Sequence, residues 1–151
     1  MPGRLWRWGV VVGLTASIGV GHARSPARPP ADGQVTFLYY KDLDGAARFY
    51  GGTLGLRATL DQGWVRIFEV SPTSYIGLVD ATSGAHRPSA EKPVMVSILV
   101  NTPSDVDRWH AWITSRGVTA DEAPTNVANV PIRAFSFKDP EGYTLEVFTW
   151  R

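Results

Sequence analysis

The 151 residues are 44% hydrophobic and 19% charged, which suits one globular domain with a substantial core and excludes fibrous and disordered classes. Fifteen basic against fourteen acidic residues give no electrostatic basis for binding nucleic acid or an anionic membrane. Cysteine is absent, which removes disulfides, thiolate metal sites and cysteine nucleophiles while fitting any redox compartment.

Arg4 and Arg7 precede an apolar or small-residue run over residues 8–20, and Gly21-His22-Ala23 places small residues where a signal peptidase reads. Residues 1–23 are therefore expected to be a signal peptide, sending the chain to the periplasm or out of the cell. The run is shorter than the ~20 residues of a bilayer span; an uncleaved anchor is the alternative. Cleavage removes both arginines and leaves thirteen basic against fourteen acidic residues, with no membrane attachment. Residues 24–33 hold three prolines and no apolar periodicity, as expected of a flexible tether.

Regular patterning begins at Gln34. Val35-Thr36-Phe37-Leu38-Tyr39-Tyr40 is β-branched and aromatic, a strand by composition. Asp42 offers a helix N-cap, Ala46, Phe49 and Tyr50 follow at helical spacing, and Gly51, Gly52 and Gly55 are expected to stop the helix. Strands are expected over residues 56–60, 64–70 and 75–80, with turns at Asp61-Gln62-Gly63 and Ser71-Pro72-Thr73-Ser74. The order is βαβββ. Residues 82–93, small and polar, read as a linker between halves.

The second half repeats the order. Residues 94–100 form a strand pattern; Thr102-Pro103-Ser104-Asp105 supplies an N-cap, a first-turn proline and an acidic third position; Val106, Trp109 and Ile113 make a helical apolar stripe that Gly117 ends. A shift of sixty positions superposes Leu38 on Ile98, Asp42 on Thr102, Arg48 on Arg108 and Phe49 on Trp109, an internal repeat in pattern more than in identity. Near the end, Asp139-Pro140-Glu141-Gly142 separates two alternating runs, with proline presetting a turn and glycine free to take positive φ. In the second run Thr144, Glu146 and Phe148 share one face and Tyr143, Leu145 and Val147 the other. A carboxylate on an otherwise apolar or aromatic face needs a partner, a proton or a role.

Tyr40-Lys41-Asp42-Leu43 through Phe49-Tyr50, with Leu54-Gly55-Leu56 and the later Asp139-Pro140-Glu141-Gly142-Tyr143 and Glu146, resembles the vicinal oxygen chelate superfamily of glyoxalase I, extradiol dioxygenases, fosfomycin-resistance transferases and bleomycin-resistance proteins. The resemblance covers residues 34–150. It implies an α+β fold of two βαβββ modules, residues 34–81 and 93–151 of a domain at 34–151. These would stand in pseudo-twofold arrangement as a curved, cleft-enclosing mixed sheet with one helix per module. Metal-dependent members carry His or Gln, Glu, His or Gln, and Glu on inward strand faces. The corresponding places here are Val35, Gly77, Met95 and Glu146, so the resemblance leaves one donor of four. Gln34 would serve only after a one-residue slip, which turns a strand side chain to the opposite face. A divalent ion wants three or more protein ligands or a compensating substrate, so no metal or other cofactor is expected; a divalent metal is the alternative. His110, on a helix edge, and His86, in the linker, have no acidic residue at ligand spacing.

The expected cleft lining is Val35, Phe37 and Tyr39 on the first strand, Trp64, Arg66 and Phe68 on another, Met95, Ser97 and Leu99 in the second half, and Arg133, Phe135 and Phe137 before the final turn. The candidate ligand-binding residues are Tyr39, Phe37, Trp64, Arg66, Met95, Arg133, Phe135 and Glu146, with Glu146 also the candidate acid or base and Tyr39 a polarising donor. Core packing is the plainer reading of any one aromatic, and Arg66 or Arg133 is a candidate partner for the Glu146 carboxylate. The fold hosts many chemistries, so three functions stay open. They are an exported, metal-free module holding a small apolar or aromatic molecule; a lyase, isomerase or dioxygenase using Glu146 as acid, base or metal ligand; and a structural or interaction domain with a filled cleft. The resemblance also implies a possible homodimer.

Overall fold

The computed structural model describes residues 28–151; the expected signal peptide lies outside the described residues. Residues 28–33 carry no regular secondary structure. The order that follows is β1 (Gln34–Tyr40), α1 (Leu43–Ala47) continuing into a π-helical turn (Arg48–Thr53), β2 (Arg57–Asp61), β3 (Val65–Ser71), β4 (Ser74–Asp80), β5 (Met95–Leu99), α2 (Pro103–Ser115), β6 (Thr125–Asn126), β7 (Ile132–Lys138) and β8 (Thr144–Trp150). Each half is a βαβββ unit, and the two four-stranded sheets have matching strand orders, β1-β4-β3-β2 and β5-β8-β7-β6. In each, the first strand pairs in parallel with the last, and the remaining pairs are antiparallel.

The helix starts follow the sequence. The Asp42 carboxylate accepts from the Gly45 amide at 2.8 Å, satisfying one of the four free donors at the start of α1. Thr102 and Asp105 form a reciprocal capping box at α2, as the Thr-Pro-Ser-Asp spacing predicts. The first helix ends differently from expectation. Gly51 and Gly52 lie inside the π turn, and the reversal comes at Gly55, whose φ of 74° is open chiefly to glycine. Wider winding lets the Leu54 amide reach the Phe49 carbonyl and the Leu56 amide the Tyr50 carbonyl.

One face of each sheet belongs to a common core. Leu38 and Tyr40 of β1, Ile76 and Leu78 of β4, Phe68 of β3, Ile98 of β5, Phe135 and Phe137 of β7, and Leu145 and Val147 of β8 pack with Leu43, Tyr50, Val106 and Ile113 from the helical segments. The halves also meet helix to helix: the Trp112 indole N–H donates to the Leu54 carbonyl at 3.3 Å and Arg116 to the Gly52 carbonyl at 3.1 Å.

The Asp-Pro-Glu-Gly turn closes the β7–β8 hairpin, with Gly142 at φ 89° as its sequence predicts. It also clasps the first half. Asp139, 5% exposed, accepts at Oδ2 from the Tyr40 hydroxyl at 2.7 Å and the Tyr50 hydroxyl at 3.3 Å. Its Oδ1 accepts from the Glu141 and Tyr143 amides at 3.0 and 2.9 Å. Glu141 Oε1 accepts from the Lys41 and Asp42 amides at 2.7 and 2.8 Å, and the Tyr143 hydroxyl accepts from the Tyr39 amide and donates to the Tyr39 carbonyl, both at 3.1 Å. Burial, then unfavourable electrostatics with neighbouring Tyr50 and the Asp139 carboxylate, push the Tyr40 hydroxyl pKa far up; burial and then Asp139 raise that of Tyr50. Both phenols are thus held neutral as donors to the carboxylate.

Candidate functional site

The faces turned away from the helices carry Val35, Phe37 and Tyr39 on β1, Gly77 and Val79 on β4, Ile67 on β3, Met95, Ser97 and Leu99 on β5, and Glu146 and Phe148 on β8; residues paired directly across strands share a face. These faces are open along β5 and at Phe37, and covered at Val79, which is 3% exposed. Phe37 is 47% exposed, Met95 53% and Leu99 57%, large values for apolar side chains on a sheet.

Glu146 stands here as its alternation predicts. It pairs with Ser97 on one side and Ser136 on the other, and the Ser97 hydroxyl donates to its Oε2 at 2.7 Å. Ser136 is engaged elsewhere, donating to Asp121 at 2.7 Å. Among the described residues Glu146 has no cationic partner. Neither Arg66 nor Arg133 reaches it: Arg66 is bound to Asp44 at 2.7 Å and Asp61 at 2.9 Å, and Arg133 to Asp107 of α2 at 2.6 Å. Both arginines lie on helix-side positions, where acidic residues near the start of α1 and on α2 take them.

Phe135 is a second correction. It lies opposite Val147, and Phe137 lies opposite Leu145, so both share the buried face, with exposures of 2% and 0%. Phe68 likewise opposes Ile76 in the core. Trp64 precedes β3, its carbonyl accepting from the Asp80 amide at 2.8 Å, and its side chain is 47% exposed. Of the eight candidates, Phe37, Tyr39, Met95 and Glu146 stand on open-face strand positions; Arg66, Arg133 and Phe135 do not.

The metal set that the resemblance implies is not matched by the side chains present: at the places it assigns, Val35, the position at or near Gly77, and Met95 bring no side-chain oxygen or nitrogen donor, leaving Glu146. The Phe37 ring also stands over Gly77, where a built Cβ would lie 2.3 Å from ring carbon Cδ1, far inside contact distance. Among the described residues no three His, Asp or Glu side chains cluster in a way that could hold an ion.

Two features of the site went unread in the sequence. Ser97 is the hydrogen-bond partner of Glu146, a relation that follows once β5 and β8 are placed in parallel register. The linker packs over Tyr39: His86 meets its ring edge-on at 5.1 Å between centroids, and at Gly84 a Cβ would lie 2.6 Å from that ring. Small residues in the linker signal the close approach only after the fold is known.

A family model described as Glyoxalase/Bleomycin resistance protein/Dioxygenase superfamily matches residues 33–147. The chain belongs to that superfamily. Among solved structures it resembles a glyoxalase/bleomycin resistance protein/dioxygenase from Nocardioides, 24% identical with a TM-score of 0.68 over 83% of this chain and 87% of that one. It also resembles lactoylglutathione lyase from Agrobacterium tumefaciens, 22% identical with a TM-score of 0.66 over 81% and 96%, and a glyoxalase/bleomycin resistance protein/dioxygenase from Alicyclobacillus acidocaldarius, 18% identical with a TM-score of 0.63 over 82% and 95%. Likeness at these identities concerns the fold. No curated protein matches the chain in sequence.

Proposed function

We propose that this is an exported binding domain without a resident divalent metal, which holds a small apolar or aromatic molecule against its open sheet faces. The carrying observation is the donor set: where metal-dependent members place four ligands, this chain has valine, glycine, methionine and one glutamate, with an aromatic ring over the glycine. An exposed apolar surface holding a single hydrogen-bonded carboxylate is suited to a mainly hydrophobic guest with one polar group, Glu146 fixing its orientation. Export rests on Arg4, Arg7 and the apolar run before Ala23; amino-terminal sequencing of the exported protein should begin at Arg24.

Metal analysis of protein purified without chelators is the decisive measurement. Stoichiometric zinc, iron, nickel or manganese would overturn the proposal. With a ligand found by screening, Glu146→Gln should weaken binding while leaving stability nearly unchanged. A catalytic reading rests on the same carboxylate, without a cationic partner among the described residues and accepting from the Ser97 hydroxyl, acting as acid or base. It is favoured if Glu146→Gln abolishes turnover of a bound compound while binding persists. A homodimer would use the exposed Met95 and Leu99 as apolar contact; sedimentation as a monomer at micromolar concentration counts against it.

A further inference from the structure

We propose that the inter-module linker and β1 together form a pocket for a small organic monoanion, in which Arg87 and Lys92 take a carboxylate and Phe37 takes its apolar body. The proposal rests on the binding reading above and names the ligand class for it. A cavity of about 230 Å³ lies where the linker passes β1, bounded by Phe37, Leu38, Val94 and Tyr143 on the apolar side and by Arg87, Lys92 and Glu91 on the polar side. That volume is below the ~300–1,000 Å³ of pockets for drug-sized ligands, so it suits a single-ring molecule.

Neither cation is ion-paired among the described residues, whereas Arg66 and Arg133 are. Arg87 Nη1 donates to the carbonyls of Ala81 at 2.7 Å and Gly84 at 2.9 Å. Those bonds anchor the guanidinium to the linker's own backbone, while its Nε and Nη2 hydrogens find no partner among the described residues; a planar fork with a free edge is what a carboxylate recognises. Lys92 is half-buried, its ammonium 4.4 Å from the Tyr143 ring centroid, a cation–π contact that holds it beside the cavity. Two cations against the Glu91 carboxylate leave one net positive charge at the pocket, which favours an anionic over a neutral guest and is balanced by a single carboxylate. Phe37 belongs to both the pocket and the open face, so a ligand anchored at the linker lays its ring along the surface already described.

Benzoate and its neutral counterpart benzamide, titrated separately into the ¹⁵N-labelled full chain and followed by amide chemical shifts, test this directly. Benzoate should move the amides of Phe37, Arg87 and Lys92 and bind about tenfold more tightly than benzamide, the gain of charge-assisted hydrogen bonding. The double variant Arg87→Gln, Lys92→Gln should lose that preference while its remaining spectrum stays native. Equal affinity for both probes, or no shift at the linker with benzoate at millimolar concentration, overturns the proposal. Shifts confined to Glu146 and Phe148 without charge preference overturn the pocket and leave the open-face reading standing; shifts at Phe37 and the linker with Glu146 unmoved support the pocket and remove Glu146 as the group that orients the guest.

Discussion

The Tyr40 hydroxyl donates to Asp139 Oδ2 at 2.7 Å across 99 positions of sequence, joining the end of the first strand to the turn of the last hairpin. With the Tyr50 hydroxyl and two backbone amides, the Asp139 carboxylate has four donors in a buried setting. Asp139→Ala should therefore cost about 3 kcal/mol or more, because it strands several buried donors at once. Tyr40→Phe, which removes one donor to a charged acceptor, should cost about 1.5–3 kcal/mol. Urea unfolding of both variants measures this; midpoints matching the parent would show that the clasp carries no net stability.

Alkaline pH should weaken the same cluster. The folded-state pKa values of Tyr40 and Tyr50 are raised above the ordinary value of 10.0, so above that pH the unfolded chain binds fewer protons than the folded one. Their contribution is fully present below the unfolded value and declines as pH rises past it. Thermal midpoints taken from neutral to about pH 11 should fall, and the fall should be shallower in Tyr40→Phe. An equal slope in parent and variant would contradict the assignment.

Gly77→Ala should be destabilising by about 1–3 kcal/mol, since the new methyl meets the Phe37 ring and overpacking forces the ring aside. Combining it with Phe37→Ala should recover most of that loss, a coupling that a double-mutant cycle isolates. Additive effects would mean the strain lies in the backbone of β4.

Acid should loosen the start of α2. The Thr102 hydroxyl, and after it the Arg108 charge, hold the Asp105 carboxyl below its ordinary 3.8. A depressed folded pKa contributes stability above the unfolded value, lost as pH falls through the lower folded one. Far-UV circular dichroism from about pH 5 to about pH 2 should show less acid sensitivity in Asp105→Asn than in the parent. Thr102→Ala should cost about 1 kcal/mol at neutral pH, the usual loss of an N-cap. Identical acid profiles would remove Asp105 from the account.

Local chemistry was legible in the sequence wherever its cause was local. The Thr102 capping box, the Gly142 turn and the placement of Glu146 beside Phe148 depend on residues a few positions apart, and each stands as its spacing implies. Alternation in β7 likewise divided Phe135 and Phe137 from Ala134 and Ser136, but alternation does not say which face is inside. That needed the hairpin register, in which Lys138 opposes Thr144 and so Phe137 opposes Leu145. Arg66 and Arg133 were harder, because Asp44 and Asp107 reach them only once each helix has folded back over its sheet. The first helix outran its glycines because π winding, supported by the Leu54 and Leu56 amides, carries Gly51 and Gly52 within it.

The Glu141 carboxylate, which accepts from the Lys41 and Asp42 amides, has a bearing on how the chain is made. During synthesis the first βαβββ unit emerges with the head of its helix and the Tyr40 and Tyr50 hydroxyls still waiting for acceptors supplied about a hundred residues later. It cannot reach its finished state until the closing hairpin exists, so the decisive contacts are of long sequence separation and form slowly. A nascent chain halted after the linker should remain open to proteolysis, and protection should arrive in one step with the final hairpin.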